Sequence, residues 1–164
     1  MNIFVLDKNP SIAAAMHCDK HCVKMILETA QMLSTAHRVY DTPQAENVYK
    51  KAHLNHPCTK WIRESGANYR WAWRLYHELL VEFTKRRGKH HKSGELIHDL
   101  AHTPHGMPEI GLTPFAQAMP LEYKRSCAVE AYRAYYMGDK AEIAEWNWGR
   151  PAPDWFFPKV SLAS

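Results

Sequence analysis

The chain has 164 residues, 46% of them apolar and 12% aromatic, and a formal charge of +4 with histidine neutral. That length fits one compact domain with a real hydrophobic core. No run approaches the roughly 18 apolar residues of a membrane span, so no membrane partner is expected. The mild basicity suits a polyanionic partner without requiring one. Four cysteines follow an N-terminus that lacks a basic, apolar leader, which predicts reduced thiols in a cytoplasmic protein.

Residues 2–6 form a short apolar run, read as a strand or an extended lead-in. Asn9-Pro10-Ser11 breaks it and supplies an N-cap, and helical spacing then runs from about residue 11 to 39 with an interruption near His17. Asp41-Thr42-Pro43 stops it. A second long helix is predicted from Pro57, whose fixed φ suits a first turn, to Gly88, with Arg86 and Arg87 at the negative end of the dipole. A short helix over 94–101 follows, capped by Ser93. Residues 102–120 are a Pro-punctuated loop whose Ile110, Leu112, Phe115 and Met119 predict a packed wall or lid rather than disorder. A helix over about 122–137 comes next, and Asp139-x-x-Glu142 resembles a capping box for a last short helix to Trp146. The tail over 149–158 reads as extended and aromatic. Strand signal is nearly absent. The fold class is therefore mainly α: a compact single-domain helical fold with two long helices, a long Pro-rich loop and an extended aromatic C-terminal tail.

On the first long helix, Cys18, Cys22, Met25, Ile26, Thr29, Leu33 and Ala36 fall on one stripe apolar enough to be a core face. His17, His21, Lys24, Glu28, Gln31, Thr35 and Arg38 fall on another, which on pattern alone is a solvated face. The imidazoles set it apart, and two chemistries fit them. Metal ligation would draw on the i, i+4 pairs His17/His21 and Cys18/Cys22 with His53, His56 and Cys58, but the two pairs diverge by about 100° and match no standard zinc spacing. No metal ligand and no cofactor is assigned on that basis. Acid–base work fits better: Glu28 among imidazoles and Lys24 can hold an altered pKa and move a proton. His53, Asn55 and His56 lead into the second helix, where they are expected to approach the same face. Arg63, Arg70, Arg74, Lys85, Arg86, Arg87, Lys89 and Lys92, with His91 among them, form a basic ridge, either solvated charge or phosphate contacts. In the long loop, Phe115 suits a pocket wall, and the Gln117 amide can donate to and accept from a base edge.

Several of these residues carry a family resemblance. Met-Asn-Ile-Phe-Val-Leu at the start, Asp19-Lys20-His21 with Glu28 seven residues on, Asn55-His56-Pro57, and Arg150-Pro151 with Asp154-Trp155-Phe156 together resemble the pyrimidine-dimer DNA glycosylases with AP-lyase activity. Phage members of that family carry Asp-Gln-His with a catalytic Glu at the same spacing, and bacterial relatives carry Tyr-x-Asn-His-Pro before a long helix. Over most of its length the chain is also similar to a group of phage proteins that share Cys-Asp-Lys-His, Asn-His-Pro-Cys and Thr-Pro-Phe-Ala-Gln-Ala-Met-Pro.

The resemblance implies an all-α fold that kinks DNA and flips a nucleotide. It also implies that the α-amine of Met1 attacks C1′ of the sugar to form an imine. Glu28 matches the catalytic carboxylate, and His21 belongs to the same motif. Lys24, His53, Asn55, His56, Arg63, Lys89, His91, Phe115 and Gln117 are the expected nucleic-acid contacts. Two features depart from the phage enzymes. Asn2 leaves Met1 in place where they expose a small residue, and Leu27 and Gln31 stand where they carry arginines, so Lys24, Arg63 or Lys89 would supply the phosphate clamp. The expected function is excision or processing of a damaged or modified pyrimidine, with DNA or a nucleotide as partner, in the host cytoplasm if the chain is phage-encoded. The alternative is a small metal- or nucleotide-binding phage protein without DNA cleavage. The oligomeric state stays open.

Overall fold

The computed structural model describes residues 1–158. Among them are six α-helices and no strand: α1 (Pro10–Met16), α2 (Asp19–Val39), α3 (Pro57–Glu64), α4 (Gly66–Arg87), α5 (Ile97–Leu100) and α6 (Ala128–Met137). The chain is mainly α, with α2 and α4 as the two long helices. None of them is long and apolar enough to cross a membrane. Residues 2–6 are an extended, buried lead-in, not a strand. The Asn9 side chain accepts the Ser11 N–H at 2.9 Å and starts α1. At His17 the backbone leaves the helix (ψ 134°), and α2 starts two residues later, with Cys18 as its N-cap.

α2 and α4 pack antiparallel. Asp19 at the start of α2 meets Arg86 at the end of α4, and His37 near the end of α2 meets Tyr69 near the start of α4. α1 packs on α4, and α3 bridges both long helices. The predicted core stripe of Cys18, Cys22, Met25, Ile26, Thr29, Leu33 and Ala36 is buried throughout. The second stripe is not a solvated face. His17, His21, Glu28 and Thr35 are buried, because the lead-in, α3 and α6 cover the side of α2 that α4 leaves open. Lys20, Lys24, Leu27 and Val39 are what α2 leaves exposed. Its sequence resembles a surface helix because the partners that meet its polar groups, Asn2 at Glu28, Tyr136 at His21 and Ala52 at Thr35, are absent from the local pattern.

Four elements differ from expectation. The helix predicted over 94–101 with Ser93 as its cap is a 3₁₀ turn over Lys92–Leu96 followed by the one-turn α5, and the His91 side chain, not Ser93, caps the turn. The helix predicted from Pro57 to Gly88 is two helices. Ser65 takes an extended conformation (φ −156°, ψ 155°) and caps α4 by accepting the Asn68 N–H at 3.0 Å. The predicted helix over 122–137 is a 3₁₀ turn over Leu121–Tyr123 and then α6, with no α-helix between them. No helix forms over 139–146, because the Asp139 carboxylate that was to cap it accepts the Tyr123 hydroxyl at 2.7 Å instead. Gly88 ends α4 at φ +67°, a left-handed conformation that glycine adopts without strain.

The tail packs across the body, with Trp146, Trp155 and Phe156 against the core. A buried ion network holds it there. Arg86, whose side chain is 2% exposed, donates to Asp19 (3.0 Å), Glu82 (2.9 Å) and the Ala15 carbonyl (3.1 Å). Arg150 forks onto both Glu82 oxygens at 2.8 Å, and Asp19 accepts the Asn147 N–H at 2.6 Å. Arg86 is thus a structural strut, not part of a solvent-facing basic ridge. Arg86→Met should lower stability by about 3 kcal/mol, because it strands Asp19 without its counter-charge, and should lower the melting midpoint by roughly 10 °C. A calorimetric scan checks this, and an unchanged midpoint would show that the network is dispensable.

Candidate active site

The lead-in lies along α2 so that its first residue meets the middle of that helix. The Met1 amine is 3.6 Å from Glu28 Oε2, and the Asn2 N–H donates to the same oxygen at 3.2 Å. Lys24, one turn earlier and half exposed, holds Glu28 Oε1 at 3.7 Å. A carboxylate that is 8% exposed therefore sits between two amines, one of them the chain's own α-amine.

Asn2 fixes this arrangement. Its Oδ1 accepts the Ile3 N–H at 2.8 Å and the Cys58 thiol at 3.4 Å, and lies 3.0 Å from the Tyr132 hydroxyl. Its Nδ2 donates to the Ala118 carbonyl at 2.8 Å. Tyr132 in turn reaches the Ala116 carbonyl at 2.7 Å and accepts the Ala118 N–H at 3.2 Å. One asparagine thus ties the lead-in to α3, to the end of the long loop and to α6. Asn2 and Tyr132 were not foreseen as part of the site, and Cys58 was considered only as a metal ligand. They lie up to 130 residues apart in the chain, and no local pattern brings them together.

The predicted site residues divide into those near this pair and those elsewhere. His56 is near it. Its Nδ1 accepts the Cys58 N–H at 3.1 Å and caps α3. Burial, then the positive Met1 amine and His53, hold its pKa below the ordinary imidazole range, with Glu28 opposing. A neutral ring with Nδ1 already accepting carries its proton on Nε2. His53 and Asn55 are exposed on the loop before α3. Arg63 turns back onto that loop, donating to the Leu54 carbonyl at 2.9 Å and the Thr59 carbonyl at 3.3 Å.

His21 lies two turns from Glu28 and is a core residue. Its ring stacks on Phe4 (centroids 4.2 Å apart), its Nδ1 lies 2.7 Å from the Tyr136 hydroxyl, and burial pushes its pKa down to about 2. Phe115 packs against Trp61 and Trp71 with centroids 5.1 and 4.8 Å away. The Gln117 amide is occupied on both ends, donating to the Arg125 carbonyl at 2.6 Å and accepting the Arg125 N–H at 3.0 Å. Lys89 is exposed just past α4. His91 caps the following 3₁₀ turn through the Ser93 N–H at 3.0 Å, its pKa lowered by burial with the Val23 carbonyl opposing.

Among the described residues, no three His, Cys, Asp or Glu side chains converge on a point suited to a metal ion. Burial pushes the Cys22 and Cys58 thiols up to about 12 and about 11, which keeps them protonated near neutral pH.

A family model described as pyrimidine dimer DNA glycosylase matches residues 1–95, which take in the lead-in, all of α2, the loop before α3, and α4. The chain belongs to that family, and the family implies DNA as a partner. No curated protein and no solved structure matches the chain.

Proposed function

We propose that the chain is a DNA glycosylase with lyase activity that processes a damaged or modified pyrimidine, with Met1 as nucleophile and Glu28 as catalytic carboxylate. The observation that carries this reading is the 3.6 Å approach of the Met1 amine to Glu28 in a chain of this family. The unprotonated amine attacks C1′ of the sugar. The bond from C1′ to the base breaks, and its electron pair leaves with the base, which takes up a proton. Opening of the sugar at O4′ and loss of the amine proton give an imine. Removal of a C2′ proton then expels the 3′ phosphate oxygen, and water releases the amine.

Glu28 stabilises the cationic sugar and carries protons among the amine, O4′ and C2′. Lys24 and the neutral His56 flank the pair, the first as a phosphate contact and the second as a hydrogen-bond donor through Nε2. His53 and Asn55 complete the nucleic-acid side of the site.

Borohydride reduction during incubation with abasic DNA tests the reading. A covalent protein–DNA adduct is expected, and acetylation of the α-amine should abolish it. An adduct that survives acetylation would move the nucleophile to a lysine, and no adduct at all would remove the lyase assignment.

A further inference from the structure

Two large apolar side chains stand exposed beside residues of the site, Leu27 at 40% just before Glu28 and Leu54 at 39% two residues before His56. Leu27 belongs to the regular helix α2. Leu54 sits at the tip of the loop before α3, and that loop is built to hold it out. Its upstream end is pinned where the Ala52 N–H donates to the Thr35 hydroxyl at 3.1 Å, two turns along α2 from Glu28. Its downstream end is pinned where the Cys58 thiol reaches Asn2 at 3.4 Å.

Between those anchors the loop arches over the side of α2 that carries Glu28. Its tip is stiff. His53 holds a left-handed φ of +46°, uncommon for a residue other than glycine, and its carbonyl accepts the His56 N–H at 3.0 Å. From behind, Arg63 clamps the Leu54 carbonyl at 2.9 Å. A positive charge that would otherwise favour a phosphate is thus spent on bracing a loop that presents one bare leucine.

Exposure of an apolar side chain on strained, braced backbone has a use in a protein that must reach a base inside a duplex. Apolar wedges enter between base steps, and unstacking there is what lets a nucleotide leave the helix. We infer that Leu54 is the wedge that enters the base stack beside the target nucleotide and holds the gap open while the sugar faces Met1 and Glu28. The inference rests on the proposed function above and adds to it the residue that separates duplex from single-stranded substrate. A single strand has no stack to open, so the wedge contributes nothing there.

The experiment compares wild type, Leu54→Ala, Leu54→Phe and Leu27→Ala on one abasic oligonucleotide, as a duplex and as a single strand, by borohydride trapping. A 2-aminopurine beside the abasic position reports unstacking in the duplex. Leu54→Ala should slow duplex trapping by about tenfold or more and lose the fluorescence rise, while single-strand trapping and the melting midpoint stay at wild-type values. Leu54→Phe should restore both duplex readouts, and Leu27→Ala should leave all of them unchanged. Equal rates for Leu54→Ala and wild type on the duplex, or an equal loss on both substrates, would overturn the wedge while the amine chemistry stands. Absence of wild-type trapping on either substrate would remove the amine chemistry and the wedge with it.

Discussion

Replacing Glu28 by Gln is expected to cut turnover on abasic or pyrimidine-damaged DNA by about 10²–10⁴-fold with little change in folding stability. The amide has nearly the volume of the carboxylate, and its oxygen can still accept the Asn2 N–H that Glu28 holds at 3.2 Å. What it loses is the negative charge opposite the Met1 amine and the capacity to take a proton. Stability should therefore fall by about 1 kcal/mol or less. Lys24→Ala is the useful contrast, because that lysine is exposed and its 3.7 Å pairing with Glu28 is screened by water. It should weaken DNA binding while leaving single-turnover cleavage at saturation near wild type. Single-turnover strand cleavage with a parallel melting curve checks both. Near wild-type cleavage by the folded Glu28→Gln protein would exclude Glu28 from the chemistry.

Acid is expected to unfold the protein well before its carboxylates are protonated, because three histidines are buried neutral. His17 donates from Nδ1 to the Ala13 carbonyl at 2.6 Å, and its Nε2 faces no partner, so a second proton there would be a buried charge with no acceptor. Burial holds it down at about 4. His37 is held at about 4 by burial. Tyr69 donates its hydroxyl to the Leu100 carbonyl at 2.7 Å, so His37 Nε2–H donates to Tyr69, and His37 Nδ1 accepts from Thr42. His21 is held at about 2.

An unfolded imidazole takes up its proton near pH 6.5. Above that pH neither state is charged and the three groups cost nothing. As pH falls from about 6.5 towards 4, the unfolded chain binds protons that the folded protein refuses. Each histidine then removes up to about 1.4 kcal/mol per pH unit, and three remove about 4. The loss from His17 and His37 levels off near pH 4. Glu82 acts below that range. Burial raises its pKa, but Arg150 and Arg86 outweigh burial and hold it below the usual carboxylate value, so its contribution is lost as pH drops from about 4.5. Urea midpoints between pH 7.5 and 4.5 should fall steeply, and His37→Gln should make the profile shallower. A flat profile would mean that these rings find charge partners in the folded state.

The parts of this fold that were legible share one property: the residues that decide them are neighbours in the chain. Asn9-Pro10-Ser11 marks the start of α1, the interruption near His17 separates α1 from α2, and Gly88 ends α4. Ser65-Gly66 was also a local signal, a cap three residues ahead of Asn68, but it sat inside an unbroken helical spacing that hid it. Arg86 looked like surface charge because nothing near it shows that Asp19, 67 residues away, needs a partner.

The site divides in the same way. Glu28 could be singled out from its spacing to Asp19 and His21. Met1 came only through the family resemblance, its contact with Glu28 follows from where the lead-in docks, and the hub of Asn2, Cys58 and Tyr132 depends on contacts 56 and 130 residues apart. His21 illustrates the converse. Its motif position suggested chemistry, but Phe4 and Tyr136 enclose it in the core.

The Asn2 hub also works as a ruler for the polypeptide's first atom. With the second residue locked from four directions, the Met1 nitrogen is held beside Glu28. Any sequence added ahead of Met1 turns that nitrogen into an amide, which has no basic lone pair to give a sugar. A formyl or acetyl cap does the same without adding a residue. On the chemistry proposed above, whether a given preparation is competent is decided by how its leading end was finished, and a purification handle belongs at the opposite end of the chain.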